Sequence, residues 1–210
     1  MNNINQQLFT IYQNLDVFYE YRGLVSIDEK LENAKFAQTI QRDKYLVLSA
    51  IAKSAKKGPT TRTFVTVLVY PGTLCETKWE SMQRLINHIR HPNADVMFIT
   101  PTKIANGVAK KLSSLSNESE HSERTFVAHS YNLLLSVVPR FELAPKYEIL
   151  PETIAREFDS FTLSKISEND PQIVWIGGRV GDVIKFTYLS EVTIHAIGYC
   201  VVGSAGDLDR

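Results

Sequence analysis

The sequence predicts an α/β N-terminal domain over residues 1–138, built on a helix-covered, mainly parallel sheet, and a small α+β C-terminal domain over residues 139–210. Three observations predict it. Between Thr63 and Ala128, short β-branched runs alternate with helix-like segments, the pattern of strands joined by crossover helices. From Pro139 onward, Pro and Gly placement replaces helical periodicity as the organising signal. Two strand-length runs, residues 182–189 and 193–202, are then spaced as a paired ribbon.

The elements follow in order. Ile4, Leu8, Ile11, Tyr12, Leu15, Phe18 and Tyr19 recur at helical spacing, and Gly23 supplies a stop. Ser26-Ile27-Asp28-Glu29 has capping-box form, which predicts a second helix starting there, and a third is expected over residues 43–53. Residues 63–70 are rich in β-branched and aromatic side chains and end at Pro71-Gly72, as a strand should. A helix over 77–91, a strand over 94–100 and a helix over 101–115 come next. Residues 113–123 are too polar to bury and read as a mobile loop. Strands are expected at 125–128, 133–138 and 147–150, with a short helix over 151–158 that carries Pro in its first turn. Residues 203–210 read as a frayed tail, and no internal repeat is present.

A chain of 210 residues can bury a real core without disulfide staples, and its two cysteines, Cys75 and Cys200, read as reduced thiols. The first residues lack the basic and apolar regions of a secretory signal, and no run is long enough to span a bilayer, so no membrane partner is expected. Lys+Arg and Asp+Glu balance at 23 each, but unevenly along the chain. Up to Val138 the count is 16 basic against 12 acidic, and from Pro139 it is 7 against 11. That permits a nucleic-acid-facing N-terminal half and excludes the strongly basic footprint of a free-standing DNA-binding domain.

Candidate chemistry is sparse. Glu76-Thr77-Lys78 has the E-x-K form of a Mg²⁺-dependent nuclease, but it follows Pro71-Gly72 at the start of a helix, where Glu is favoured by the dipole. His88 and His91 could share a helix face, while Cys75, His121, His129 and His195 complete no metal-ligand spacing. The cluster from Gly177 to Gly181 lacks either phosphate-loop form and leads into a strand, so it reads as a β-turn with Asp182 as a turn residue. Lys53, Lys56, Lys57, Gly58 and Arg62 form the densest basic patch, read as a solvated loop. Trp175 and Tyr188 are candidates for ribbon-side core or interface anchors. No catalytic residue, metal or cofactor is predicted.

The last third carries the sharpest signature. Phe141-Glu142-Leu143-Ala144-Pro145-Lys146 is followed by Asp170-Pro171 and then by Gly177-Gly178-Arg179-Val180-Gly181-Asp182-Val183-Ile184-Lys185 and Ser190-Glu191. This order resembles the C-terminal assembly domain of subunit 5 of eukaryotic RNA polymerases, a family with archaeal counterparts, which runs HELVPKH, LPRI, DP, ARYYG, GDVVKI and SET. Upstream, Tyr21-Arg22-Gly23-Leu24 is similar to the family's opening helix and turn. Residues 64–70 resemble its FVFFPEE strand, Asp95 to Lys103 its IIVVQQGMTPSAK segment, and residues 133–138 its LLINI. Departures are real: Phe141 and Tyr147 stand at the two His positions of HELVPKH, Ser164 at the Pro of LPRI, and Tyr188 at the Arg before SET. The turn residues Pro145, Pro171, Gly177, Gly181 and Asp182 are kept.

The resemblance implies a non-catalytic subunit of a DNA-directed RNA polymerase, with an N-terminal jaw domain beside downstream duplex DNA and a C-terminal domain docked on the largest subunit and neighbouring small subunits. Pro145, Lys146, Asp170, Pro171, Gly177, Arg179, Gly181, Asp182, Lys185, Ser190 and Glu191 are the implied assembly residues. Thr100, Pro101, Thr102 and Lys103 are the implied DNA-proximal ones, because Thr100 as N-cap and Pro101 as first helical residue would aim free N–H groups at a phosphate. The drift from the family pattern suggests a large DNA virus transcribing in host cytoplasm, with the chain also in the virion. A nuclear cellular homologue is the alternative. Against these stand two other classes, a free Mg²⁺-dependent nuclease-like enzyme and a stand-alone protein-binding module.

Overall fold

The structure, a computed structural model, describes residues 3–54, 62–89, 94–117, 125–159, 162–190 and 194–204. The chain divides into two compact units, Met1–Ser136 and Val137–Arg210.

In the first unit, α1 (Asn3–Tyr21) buries Leu8, Ile11, Leu15, Phe18 and Tyr19 along one stripe. It ends where Gly23 takes a φ of 64°, a conformation that costs Gly little and turns the chain into β1 (Leu24–Ser26). Two side chains fix α1 to distant partners: Tyr19 Oη donates to Thr66 Oγ1 at 2.9 Å, and Asn14 Nδ2 donates to Leu134 O at 2.7 Å.

The next segment departs from the sequence expectation. The capping box does not form, because Ser26 pairs with Ala50 and the Asp28 carboxylate accepts the Ser49 N–H, which draws both residues into the sheet edge. The second helix, α2 (Asn33–Asp43), begins later and closes on Lys44 in the left-handed region at φ 66°, its N–H bonded to Ile40 O at 3.0 Å. The expected third helix is instead strand β2 (Tyr45–Ala52). Leu48, Ser49, Ala50 and Ile51 are all buried, so the strand is covered on both faces and shows no alternation to distinguish it from a buried helix.

Strand β3 (Thr63–Val69), helix α3 (Trp79–His88), strand β4 (Ala94–Thr100), helix α4 (Asn106–Asn117), strand β5 (Thr125–Ser130) and helix α5 (Asn132–Leu135) complete the unit. The sheet order is β1-β2-β3-β4-β5, with β1–β2 and β2–β3 antiparallel and β3–β4 and β4–β5 parallel. The sheet is therefore mixed, not mainly parallel. Val65, Val67, Val96 and Phe98 pack with Met82, Leu85, Val108 and Leu112 in one buried cluster. Phe64 and Thr66 meet Phe18 and Tyr19 of α1, with the Phe18 and Phe64 rings 6.3 Å apart.

Two further expectations fail here. Residues 133–138 are not a strand: Leu134 and Leu135 N–H bond back to Tyr131 O, and Asn14 takes the Leu134 carbonyl that a sheet would have used. Helix α4 starts at Asn106, not Pro101. Ala105 N–H is committed to Glu76 O at 2.7 Å, and Ala105 O then accepts the Val108 and Ala109 N–H groups. Residues 113–117 of the expected loop continue α4; residues 118–124 lie outside the described residues.

The second unit opens with a 3₁₀ turn (Val138–Arg140) and runs through β6 (Lys146–Ile149), α6 (Glu152–Ala155), β7 (Ser164–Ser167), α7 (Pro171–Ile176), β8 (Val183–Ser190) and β9 (Ile194–Gly203). Its sheet order is β6-β8-β9-β7, with β7 parallel to β9 and the other pairings antiparallel. The expected ribbon is β8 and β9; β7 and α7 are elements the sequence reading missed. Ile173, Ile184, Cys200 and Val202 form the core, and Trp175 is fully buried. No described helix is long and apolar enough to cross a membrane.

Candidate functional site

The turn residues of the second unit make its framework. Asp170 accepts the Gln172 N–H at 2.8 Å as N-cap of α7, Pro171 occupies the first turn, and Gly177 closes the helix at φ 79°. Gly178 then lies close to the core: a Cβ there would stand 2.9 Å from Ile173 Cγ2. In the following turn, Asp182 N–H donates to Arg179 O at 2.9 Å and the Asp182 carboxylate accepts Arg179 N–H at 2.7 Å. Gly181 holds φ 94° and bonds through its N–H to Val202 O at 2.9 Å, which fixes the turn to β9.

At the other end of the sheet, Pro145 precedes β6, and the Lys146 ammonium donates to Pro139 O at 2.8 Å and Phe141 O at 3.1 Å. Lys146 thus binds its own unit's backbone. Lys185 lies cross-strand from Glu148, Nζ to Oε2 3.5 Å, an exposed pair contributing at most about 1 kcal/mol. Ser190 ends β8 opposite Ile194, and Glu191 falls outside the described residues. The structure therefore separates the sequence-implied residues. Asp170, Pro171, Gly177, Arg179, Gly181 and Asp182 gather before β8, while Pro145, Lys146 and Ser190 lie near its far end, about 23 Å away at the usual rise of a strand.

Sequence reasoning missed exposed apolar residues of this unit: Phe141, Leu143, Leu189 and Ile197. For Leu189 the signal available was apolar character on both faces of residues 183–189, which a one-sided strand would not need; Phe141 and Leu143 carried no such signal. Of the two aromatic candidates, Trp175 is core and Tyr188 is partly exposed.

In the first unit, the anion site expected at Thr100 loses its physical basis. Thr100 is 0% exposed, and its hydroxyl lies 2.7 Å from Thr102 O and 3.2 Å from His129 O, so its proton serves the chain's own carbonyls. With α4 starting at Asn106, no helix N-terminus faces outward at Pro101. Thr102 and Lys103 remain exposed on the loop between β4 and α4. Of the basic patch, Arg62 forms a two-pronged pair with Asp95 at 2.9 and 2.6 Å; Lys56, Lys57 and Gly58 lie outside the described residues.

Glu76 is 8% exposed and turned toward Cys75, Sγ to Oε2 3.7 Å, while Lys78 is the N-cap residue of α3. Burial pushes the Cys75 thiol up to about 11, partly opposed by its bond with Thr73. His88 Nδ1 is occupied by Arg84 O at 2.6 Å, and His91 lies outside the described residues. Among the described residues no group of three or more His, Cys, Asp or Glu is placed to hold a metal. His129 is held down to about 4, first by burial and then by the nearby Arg22 charge. Arg22 itself stacks over the Phe18 and Phe64 rings at 5.3 and 4.7 Å.

Residues 136–202, which contain this turn-framed four-stranded sheet, match the family model of the RNA polymerase Rpb5 C-terminal domain. The class of protein to which this unit is similar is thus an RNA polymerase subunit. Over nearly the whole chain the likeness is to viral proteins. The RPB5 homologue of DNA-directed RNA polymerase from the Warthog/Namibia isolate of African swine fever virus is 24% identical over 216 residues, covering 91% of this chain and 94% of its own. That of the Tick/Malawi isolate is 26% identical over 205 residues with the same coverage. Residues 136–202 thus match an Rpb5 C-terminal domain, and over nearly its whole length the chain is similar to the viral RPB5 homologues, which supports a divergent viral Rpb5.

Proposed function

We propose that this Rpb5-family subunit is non-catalytic and docks through its C-terminal unit on the largest polymerase subunit, while its N-terminal unit forms the lower jaw beside downstream DNA. The observation carrying the proposal is the intact turn framework of residues 170–182 inside the segment that matches the Rpb5 C-terminal domain. Nucleotide addition by paired metal ions then belongs to the large subunits. The likeness to viral RPB5 homologues supports a viral polymerase, and with it the reading that the chain acts in host cytoplasm and travels in the virion.

DNA proximity in this proposal rests on the family likeness of the 100–103 segment, with Thr102 and Lys103 as its exposed members. Any contact is with the phosphate backbone, independent of sequence and weakened by salt. Affinity purification of the full-length chain tests the proposal: the two large polymerase chains should accompany it through a high-salt wash. A chain that recovers neither, or that alone cleaves nucleic acid with Mg²⁺ and loses this activity in Glu76→Ala, would overturn it. Crosslinking from position 103 to downstream duplex in the assembled enzyme tests the jaw assignment separately.

A further inference from the structure

Of the apolar side chains that the C-terminal unit leaves in solvent, Ile154, Val180 and Tyr199 are scattered, while Phe141, Leu143, Tyr188, Leu189 and Ile197 lie toward one end of its sheet. Since Lys146 pairs with Thr187, the turn at residues 141–144 stands where β8 runs on past β6 to Tyr188 and Leu189. Leu143 is 87% exposed, Phe141 51%, Leu189 58% and Ile197, opposite Thr187, 57%. Soluble monomers seldom gather this much exposed apolar surface without a partner for it. The turn is also tied down by hydrogen bonds of its own. Phe141 N–H donates to Val138 O at 3.1 Å, Ala144 N–H donates to Phe141 O at 3.2 Å, and the Lys146 ammonium ties the Pro139 and Phe141 carbonyls together. Side chains carried on a backbone already ordered lose less entropy on binding.

We propose that Phe141 and Leu143 form an apolar plug that inserts into an apolar pocket of a larger polymerase chain, with a Lys or Arg at the pocket rim meeting Glu142. Lys146 is the positioning residue that holds the plug in shape. The inference rests on the reading of this unit as the docking unit, and adds to it the contact residues and the chemistry of the partner. A second copy of this chain is the poorer fit. A two-fold contact through the turn would bring Glu142 toward its own copy, in a segment with 11 acidic and 7 basic residues from Pro139 onward.

The test uses the polymerase recovered through tagged full-length chain, in wild-type form and with a photo-crosslinking residue at position 143. The expected crosslink is to an apolar peptide of a large polymerase chain flanked by Lys or Arg. Leu143→Asp should cut retention of the polymerase in salt by about tenfold or more, as loss of a central anchor does. Glu142→Lys should weaken it several-fold, roughly as reversal of a rim charge does. Lys146→Met should also weaken it, and Lys146→Arg should restore it, which a merely space-filling role would not produce. Thermal melting of each variant reports the fold, and Leu143→Ser replaces Leu143→Asp if the latter melts early. Wild-type retention of both Leu143 variants overturns the plug while leaving the subunit reading intact. So does a self-dimer of the free chain that Leu143→Asp dissolves. Failure of the wild-type chain to recover polymerase overturns both.

Discussion

The N-terminal unit buries a large core on both faces of its sheet and leaves none of its described large apolar residues more than half exposed, whereas the C-terminal unit holds a smaller core and leaves Phe141, Leu143, Leu189 and Ile197 mostly in water. One is stabilised mainly by burial. The other adds to a smaller core the residues that prescribe its backbone path: the Asp170 cap, Gly177 and Gly181 at positive φ, the Asp182 turn and the Lys146 clamp. The difference teaches that the residues making the C-terminal unit recognisable are those that shape it. The contact surface proposed for it is carried by other side chains.

The strongest way to break this comparison is Trp175→Ala. Emptying a fully buried site of that size should cost about 3–5 kcal/mol. The C-terminal unit should lose hydrogen-exchange protection while the N-terminal unit keeps it; simultaneous loss in both would show that they are not separately stable.

Acid should act on the N-terminal unit in a way traceable to one side chain. His129 is neutral in the fold down to about 4, while in the unfolded chain it protonates near 6.5. The unfolded state then binds the extra proton between those values. Stability is full above pH 6.5 and falls as pH drops toward 4, by about 3 kcal/mol in all. Melting of Trp175→Phe, in which Trp79 is the remaining tryptophan, follows that unit alone. A His129→Leu version should lose most of the slope.

Gly181→Val forces a β-branched side chain to φ 94° and should cost the C-terminal unit about 1–3 kcal/mol. Wild-type melting of that variant would falsify the idea that turn geometry stabilises the unit. Asp170→Ala removes one N-cap bond and should cost about 1 kcal/mol, seen as a small fall in the same transition with no change in the N-terminal one.

Much of the fold was legible where one face of an element is polar or a turn demands a special residue. The stripe of α1, the ribbon and the tight turn at Gly181 carry such signals, while the strands at 63–69 and 94–100, buried on both faces, were legible from their β-branched content and from Pro71 and Pro101 just beyond them. Residues 45–52, also covered on both sides, lack a period, and their Leu and Ala content with no Pro or Gly at either end suits a helix as well as a strand. Nor was α7 legible: it is six residues long, and its Asp170-Pro171 opening also reads as an ordinary turn. Thr100 misled because a good cap followed by Pro fits a helix start, and the competing acceptors, Thr102 O and His129 O, appear only in three dimensions. For the candidate interface, the framework residues were legible from Pro and Gly chemistry. Exposure of Leu143 was not, because nothing local reveals which apolar residue the core leaves out.

Strand order also sets the timetable on the ribosome. In the first sheet the spatial order is the chain order, so each strand emerging from the exit tunnel finds its predecessor waiting as a template. The second sheet cannot grow this way. Residues 164–167 take the far edge beside residues 200–203, which are made more than thirty positions later, and until then that strand has no partner in its sheet. A nascent chain halted after residue 190 would carry a complete first sheet and an unfinished second one, with the turn at residues 141–144 already made but not yet supported by the ribbon.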